Sequence, residues 1–237
     1  MRTPLLNFRT IKKSSLGKFT ISFCSLILTL LSQLITIQVT KAQSYNYNLY
    51  DLAIQKNIKI EKRTIGKLND GKTIKISGAE GPGVAWLENI EFTNGTIEIE
   101  LRGKDIKQGS FLGIALHGDG KNSYEAIYFR PFNFHAKEKI ARSHSVQYIS
   151  MPNYDWEYLR DNHPGKYENE IANSPDPNSL FIAKITVKGK IIQVHINNSP
   201  KPSLVVQSLH NIEGKKIGLW VGNNSEGEFA NFKLTAQ

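Results

Sequence analysis

From residue 58 onward, apolar and polar positions alternate in short runs separated by turn-forming residues. The runs cover 58–61, 72–77, 84–87, 96–101, 111–117, 124–130, 145–150, 180–187, 191–196, 203–209, 217–221 and 228–235. Between them stand Asn69-Asp70-Gly71, Asn94-Gly95, Gly118-Asp119-Gly120 and Lys188-Gly189, the residue pairs that close tight turns. A period of two sends successive side chains to opposite faces of a strand. About twelve such runs in one domain predict an all-β chain, a two-sheet antiparallel β-sandwich or jelly roll. Residues 43–57, with Tyr45, Tyr47 and Tyr50, read as a lead-in with a first edge strand. The best helical candidate is one or two turns within 153–161.

The alternation also assigns faces. Ile97, Ile99 and Leu101 form one core set, and Leu112, Ile114 and Leu116 another, with Gly113, Ala115 and His117 opposite. Ile127 and Phe129 point to the core, leaving Tyr124, Ala126, Tyr128 and Arg130 on the other, open face. Val146 and Tyr148 are core, with Gln147 opposite; Ile192, Val194 and Ile196 are core, with Gln193 and His195 outward. One bulge inverts any of these assignments.

Residues 151–179 break the rhythm. They hold Pro152, Pro164, Pro175 and Pro177 together with Tyr154, Trp156, Tyr158 and Tyr167. A loop this long inside a compact domain is usually functional or disordered, and this one is too aromatic for a flexible linker. It is expected to fold down over one sheet.

The N-terminus changes the electrostatic picture. Arg2, Arg9, Lys12, Lys13 and Lys18 precede an apolar run at 19–37, and Thr40 and Ala42 stand at positions −3 and −1 of a cut before Gln43. That order is the secretory signal pattern. The run is also long enough for an uncleaved anchor, although its internal Ser, Thr and Gln residues favour cleavage. Residues 1–42 are therefore read as a signal peptide and 43–237 as the domain, secreted, periplasmic or cell-surface, with no membrane contact once the leader is removed. The leader holds 6 of the 30 basic residues and none of the 21 acidic ones, so the remainder carries 24 against 21, a net charge near +3. The formal +9 is mostly the leader's, and net charge makes no case for nucleic acid. Its single cysteine, Cys24, lies in the leader, so the domain uses no disulfide. About 195 residues suffice for one core without such staples.

Candidate chemistry concentrates between residues 110 and 150. Tyr124, Tyr128, Arg130, Asn133, Arg142 and Gln147, joined by Trp156 and Arg160 from the long loop, are the residue types that hold sugars. Aromatic faces stack on the C–H faces of sugar rings while Arg, Asn and Gln hydrogen-bond paired hydroxyls. Gly113 and Ala115 would leave room for a ligand. The competing role for these residues is packing the loop onto the sheet, with the arginines bridging backbone carbonyls. Glu125 is the candidate catalytic acid, yet alternation puts it with Ile127 and Phe129, where it needs a partner such as an arginine. Glu98 and Glu100 share one strand face, about 7 Å apart, a spacing compatible with an inverting glycosidase and equally with two solvated acids. Asp155, Glu157 and Asp161 flank Trp156 and could supply acids from the loop. The six histidines show no ligand spacing. No cofactor is expected; Asp119 could join carbonyls around a structural Ca²⁺, against the simpler role of a turn aspartate.

The segments Asn94-Gly-Thr-Ile-Glu-Ile-Glu, Tyr124-Glu-Ala-Ile-Tyr-Phe-Arg-Pro-Phe-Asn, Trp156-Glu-Tyr-Leu-Arg and Ile217-Gly-Leu-Trp-Val-Gly resemble the concanavalin A-like lectin/glucanase jelly roll. Within that group they look most like exported bacterial domains of the 3-keto-disaccharide hydrolase or laminin-G-like type. The resemblance covers nearly all of 43–237 and implies a jelly roll whose concave sheet binds a carbohydrate or glycoside, with hydrolysis in some members. The Glu-x-Asp-x-x-Glu signature of laminarinase-type glycosidases is absent. Fold analogy raises sugar binding without establishing an enzyme; the alternative is a non-catalytic adhesion or protein-interaction module using the same surface.

Overall fold

The computed structural model describes residues 43–209 and 214–236; the expected leader, 1–42, lies outside the described residues. Fifteen strands and three short α-helices follow in order: β1 (Gln43–Tyr47), α1 (Leu49–Ile54), β2 (Ile58–Lys59), β3 (Ile65–Lys67), β4 (Ile74–Ile76), β5 (Gly83–Glu91), β6 (Gly95–Arg102), β7 (Leu112–Gly118), β8 (Tyr124–Phe129), α2 (Lys139–Arg142), β9 (Val146–Met151), α3 (Trp156–Asn162), β10 (Glu168–Asn169), β11 (Phe181–Lys188), β12 (Ile191–Ile196), β13 (Leu204–Gln207), β14 (Lys216–Val221) and β15 (Gly227–Ala236). They pair as two antiparallel sheets. One runs β13-β12-β11-β6-β15-β4-β3 with β1 added beside β15, and the other runs β10-β9-β8-β7-β14-β5-β2.

All twelve expected strand runs are strands. Their faces follow the alternation: Ile97, Ile99 and Leu101 are buried, as are Ile192, Val194 and Ile196. Between the sheets the side chains of Leu112, Ile114, Leu116, Ile127, Phe129, Val146 and Tyr148 meet those of β6, β11 and β15. Phe181 packs edge-on against both Phe129 (5.2 Å) and Phe134 (5.4 Å), contacts worth about 1 kcal/mol each beyond their buried area. The turn before β6 needs its glycine: Gly95 has φ +136°, and a Cβ there would stand 2.1 Å from the Thr235 carbonyl oxygen.

One face assignment fails. His117 lies not opposite Leu116 but on the core side, because its backbone adopts φ +51° and the pairing with β14 shifts register there. That bulge swings the imidazole inward. The long 151–179 segment does fold down. It contributes α3, which starts within the expected helical window and ends one residue past it, then β10, which adds to the edge of the second sheet beside β9, and it buries Leu159, Tyr167 and Ile171.

Where the chain passes from β14 in one sheet to β15 in the other, a single cation ties the loops together. The Arg63 guanidinium donates to five backbone carbonyls: Ser77, Ser225, Ala79 and Gly222 at 2.9–3.0 Å, and Gly81. Gly83 must be glycine beside it, since a Cβ would meet Arg63 Nε at 2.5 Å. Removing the guanidinium leaves several half-buried acceptors without a donor. Arg63→Ala should therefore destabilise the domain by about 2 kcal/mol, read as a lower denaturation midpoint, and Arg63→Lys, with three donors for five acceptors, should recover only part of it. A midpoint unchanged in Arg63→Ala would show that water replaces all five bonds.

Candidate functional site

The residues expected to form a site divide between the two faces of β8. On the core face, Glu125 is fully buried. One carboxylate oxygen lies 2.5 Å from His117 Nδ1, and the other accepts the Tyr148 hydroxyl at 2.5 Å. His117 Nε2 faces the Thr93 carbonyl at 2.8 Å. Both imidazole nitrogens thus face acceptors, the arrangement an imidazolium satisfies. The Tyr148 hydroxyl in turn accepts from Leu209 N at 2.8 Å. Glu125 does pair inside the core, but with a histidine rather than the expected arginine. The cause is the bulge at His117. Burial penalises the Glu125 carboxylate, yet hydrogen bonds from His117, Ser208 and Tyr148 outweigh it and hold its pKa below the usual range. Burial likewise opposes a charged His117, but the bonds to Glu125 and the Thr93 carbonyl, with the Glu125 charge, together outweigh it and raise the imidazole.

The outer face of β8 is not open. Tyr124, Tyr128, Arg130, Asn133 and Gln147 are all buried, with exposures of 1–8%. Cross-strand register sets one row across the sheet: Trp220, Gly113, Tyr128, Gln147 and Glu168 are successive partners on β14, β7, β8, β9 and β10. The Tyr128 and Trp220 rings meet at 4.6 Å. Because Gly113 stands between them in the register, the rings close over it, and the room expected there for a ligand is filled by protein. Trp86 does the same one row on. Its indole occupies the space beside Gly118, where a Cβ would lie 2.1 Å from the ring, and it meets Tyr124 edge-on at 6.1 Å. Trp220 Nε1 donates to the Tyr124 hydroxyl at 3.3 Å.

Beyond this aromatic wall the polar side chains form a directed chain. Arg130, its guanidinium 5.2 Å above the Tyr128 ring, donates to the Tyr128 hydroxyl at 2.8 Å. Tyr128 donates to Gln147 Oε1 at 2.8 Å, and the Gln147 amide reaches the Trp156 carbonyl at 3.5 Å. Burial pushes the Tyr128 hydroxyl up to about 12, so it remains a donor over the whole physiological range. Arg130 and Asn133 also both donate to the His144 carbonyl, at 3.1 and 3.3 Å. Glu168, itself buried, takes Arg160 through both oxygens at 2.6 and 3.1 Å, with His144 Nδ1 at 2.8 Å and Arg130 at 3.7 Å. Burial lowers the His144 pKa, against the pull of Glu168.

The long loop supplies the accessible part. Asp155 caps α3 by accepting from Tyr158 N at 2.8 Å, and the helix presents Trp156 (46% exposed) and Tyr158 (43% exposed). Arg160 lies across the Trp156 ring at 5.1 Å while bound to Glu168. Arg142 is elsewhere: it holds the 136–142 segment through the Ala136 and Lys137 carbonyls and Glu170, all within 2.9 Å, which is the bridging role weighed against sugar contact. Trp86, Trp220, Tyr158, His144 and Glu168 were missed. Period two alone places Trp86 between Ala85 and Leu87, and Trp220 between Leu219 and Val221, on the outer face; Glu168 gives no such signal, because β10 has two residues. Asp119 accepts from Lys121 N (2.7 Å) and Ser123 N (3.3 Å), the ordinary work of a turn aspartate, and no set of three metal-ligating side chains converges among the described residues.

No protein-family model matches this chain, and no characterised protein matches it in sequence. Solved structures do match. The carbohydrate-binding module CBM66 from Bacillus subtilis is similar over 75% of this chain and 95% of its own, at 11% identity and TM-score 0.55. A Bacillus subtilis protein of unknown function with a galectin-like fold aligns over 82% and 98%, at 12% identity and TM-score 0.54. The exoplasmic/lumenal domain of VIP36, in a form bound to Ca²⁺ and Man3GlcNAc, aligns over 77% and 84%, at 11% identity and TM-score 0.52. The likeness is one of fold: this chain is a concanavalin A-like, two-sheet antiparallel jelly roll.

The pair inside the core makes stability depend on pH. His117, raised when folded, contributes stability that is complete below its unfolded value of 6.5 and is lost as pH rises through its higher folded value. Glu125, depressed when folded, contributes stability that is present above 4.5 and is lost as pH falls through its lower folded value. Denaturant midpoints should thus decline above about pH 6.5 in the native chain and lose that decline in His117→Gln. A native profile flat on the alkaline side would set this account of the pair aside.

Proposed function

We propose that this domain binds carbohydrate on the outer side of its seven-stranded sheet, at the rim formed by Trp156, Tyr158 and Arg160. The observation that carries the reading is the stacked Trp156–Arg160 pair. It offers a sugar an apolar face and a charged donor side by side, and a buried relay from Arg130 through Tyr128 and Gln147 fixes the helix that bears it. An exposed indole held in one orientation costs a ligand little ordering entropy. The neighbouring folds of CBM66 and of VIP36, in its Man3GlcNAc-bound form, support the same chemistry.

On this reading the expected sugar-binding residues take two roles. Trp156 and Arg160 contact the ligand, while Tyr124, Tyr128, Arg130, Asn133 and Gln147 form the wall that positions them. Binding is favoured over hydrolysis. Glu125 lies on the core face with both oxygens engaged, and Glu168, the buried carboxylate of the outer face, is tied to Arg160. A glycosidase needs two carboxyls poised across one bond. The N-terminal leader pattern supports export, and among the described residues no helix is long and apolar enough to cross a membrane.

A glycan array tests the reading, followed by product analysis of any hit incubated with the protein. Binding with the glycan recovered intact is the expected result; released product would restore the hydrolase, and an empty array would remove carbohydrate as the ligand in favour of a protein-interaction module. Trp156→Ala should weaken a hit about tenfold, or 1.4 kcal/mol, with an unchanged melting temperature. Arg130→Ala should instead lower the melting temperature, since it strips donors from Tyr128 and His144 in a buried setting, a loss of about 2 kcal/mol.

A further inference from the structure

The sheet opposite the proposed rim carries a groove of about 500 Å³ where β15 bulges away from β6. The bulge falls at Asn231, whose backbone adopts φ +49°, so that the ladder skips from Ala230–Glu100 to Lys233–Glu98. Four separate parts of the chain converge on the opening: Asn46 from β1, Lys72 from the turn before β4, Glu98 and Glu100 from β6, and Asn231 and Lys233 from β15. Glu98 and Lys233 answer one another at 3.6 Å. The side chains of Asn46, Lys72, Glu100 and Asn231 make no hydrogen bond or ion pair within the described residues, and all four residues line the groove. Tyr47, half-buried and backed by Phe232 at 5.8 Å, lines one side.

The chemistry of this lining is selective. Two carboxylates stand against two ammonium groups, so the groove carries no net charge and favours neither an anion nor a metal cation. What remains is a dense set of unpaired polar groups beside an aromatic ring. A carboxylate accepts two hydroxyls, an amide gives one donor and one acceptor side, and an ammonium donates to ring or hydroxyl oxygens; a tyrosine ring covers C–H faces. We propose that this groove is a second, independent binding site for an uncharged saccharide unit, which would make the domain bivalent toward a long glycan. Glu98 and Glu100, whose spacing suggested a catalytic pair, serve here as hydroxyl acceptors. Two sites on opposite sheets let one domain hold two chain segments, and such linkage raises avidity without new contacts at either site.

The test is an NMR titration of the isotope-labelled chain with maltose, cellobiose, lactose and sucrose, following backbone amides near Asn46, Glu100 and Asn231 separately from those of α3. Saturable shifts at the groove with a Kd of about 1 mM are expected for at least one sugar. Glu100→Gln combined with Asn231→Gly should weaken that binding about tenfold and leave shifts at α3 unchanged. Trp156→Ala should do the reverse, so failure of the rim and failure of the groove are read apart. Absence of groove shifts with all four sugars, or groove shifts that survive the double substitution, overturns the proposal.

Discussion

Strand β8 has no solvent face. All six of its residues are buried, and yet it carries a glutamate and two tyrosines and leads directly into an arginine. Burying such groups is tolerable only when each finds a partner, and the partners define the architecture on both sides. Inside, Glu125 requires His117 and Tyr148, which links β7, β8 and β9 across the core. Outside, Tyr128 requires Gln147 and Arg130, which links β8 and β9 to the loop. A central strand that is polar on both faces therefore works as a hub. It ties the core pairing to the outer wall, and a change on one face is felt by the strand that supports the other.

A similar economy operates at the crossing from β14 to β15, where Arg63 adds a single fork of donors to the turns' own hydrogen bonds. The loops at 77–81 and 222–225 have five carbonyls pointing into one spot, and no backbone N–H is placed to meet them all. Burial lowers the pKa of the guanidinium, but an arginine so shifted still carries its charge. One side chain thus holds the crossing between the sheets.

Much of this was legible in the sequence, and the reason is period two. Wherever one face meets the core, as in β6 and β12, alternation alone sorts buried from exposed. It failed in two kinds of place. At His117 a residue in the left-handed region broke the period, and nothing in the local sequence Leu116-His117-Gly118 announces which residue will bulge. On β8 and β9 the period is right but its meaning is not: polar and aromatic residues suggest an open outer face, whereas the wall of Trp86 and Trp220 covers it. Those tryptophans lie about 40 and 90 residues away in sequence, so only the sheet order brings them next to Tyr124 and Tyr128. The short strand β10 escaped for a third reason, since Glu-Asn has little strand preference of its own and pairs because Tyr167 and Ile171 anchor its flanks.

The division of the outer face into a buried tier and an exposed tier bears on what such a site can do. On the proposed reading a binding rim gains from rigidity, and the buried relay from Arg130 to the Trp156 carbonyl would supply it. Acid–base catalysis asks for the reverse: a carboxyl left partly unpaired so that its proton can move at neutral pH. Glu168 has its oxygens fixed by Arg160, with Arg130 and His144 close by, so neither oxygen is left unpaired. The features that make this face a stable platform for recognition are those that make it a poor one for proton transfer. On the proposed reading, such an arrangement suits binding better than proton transfer.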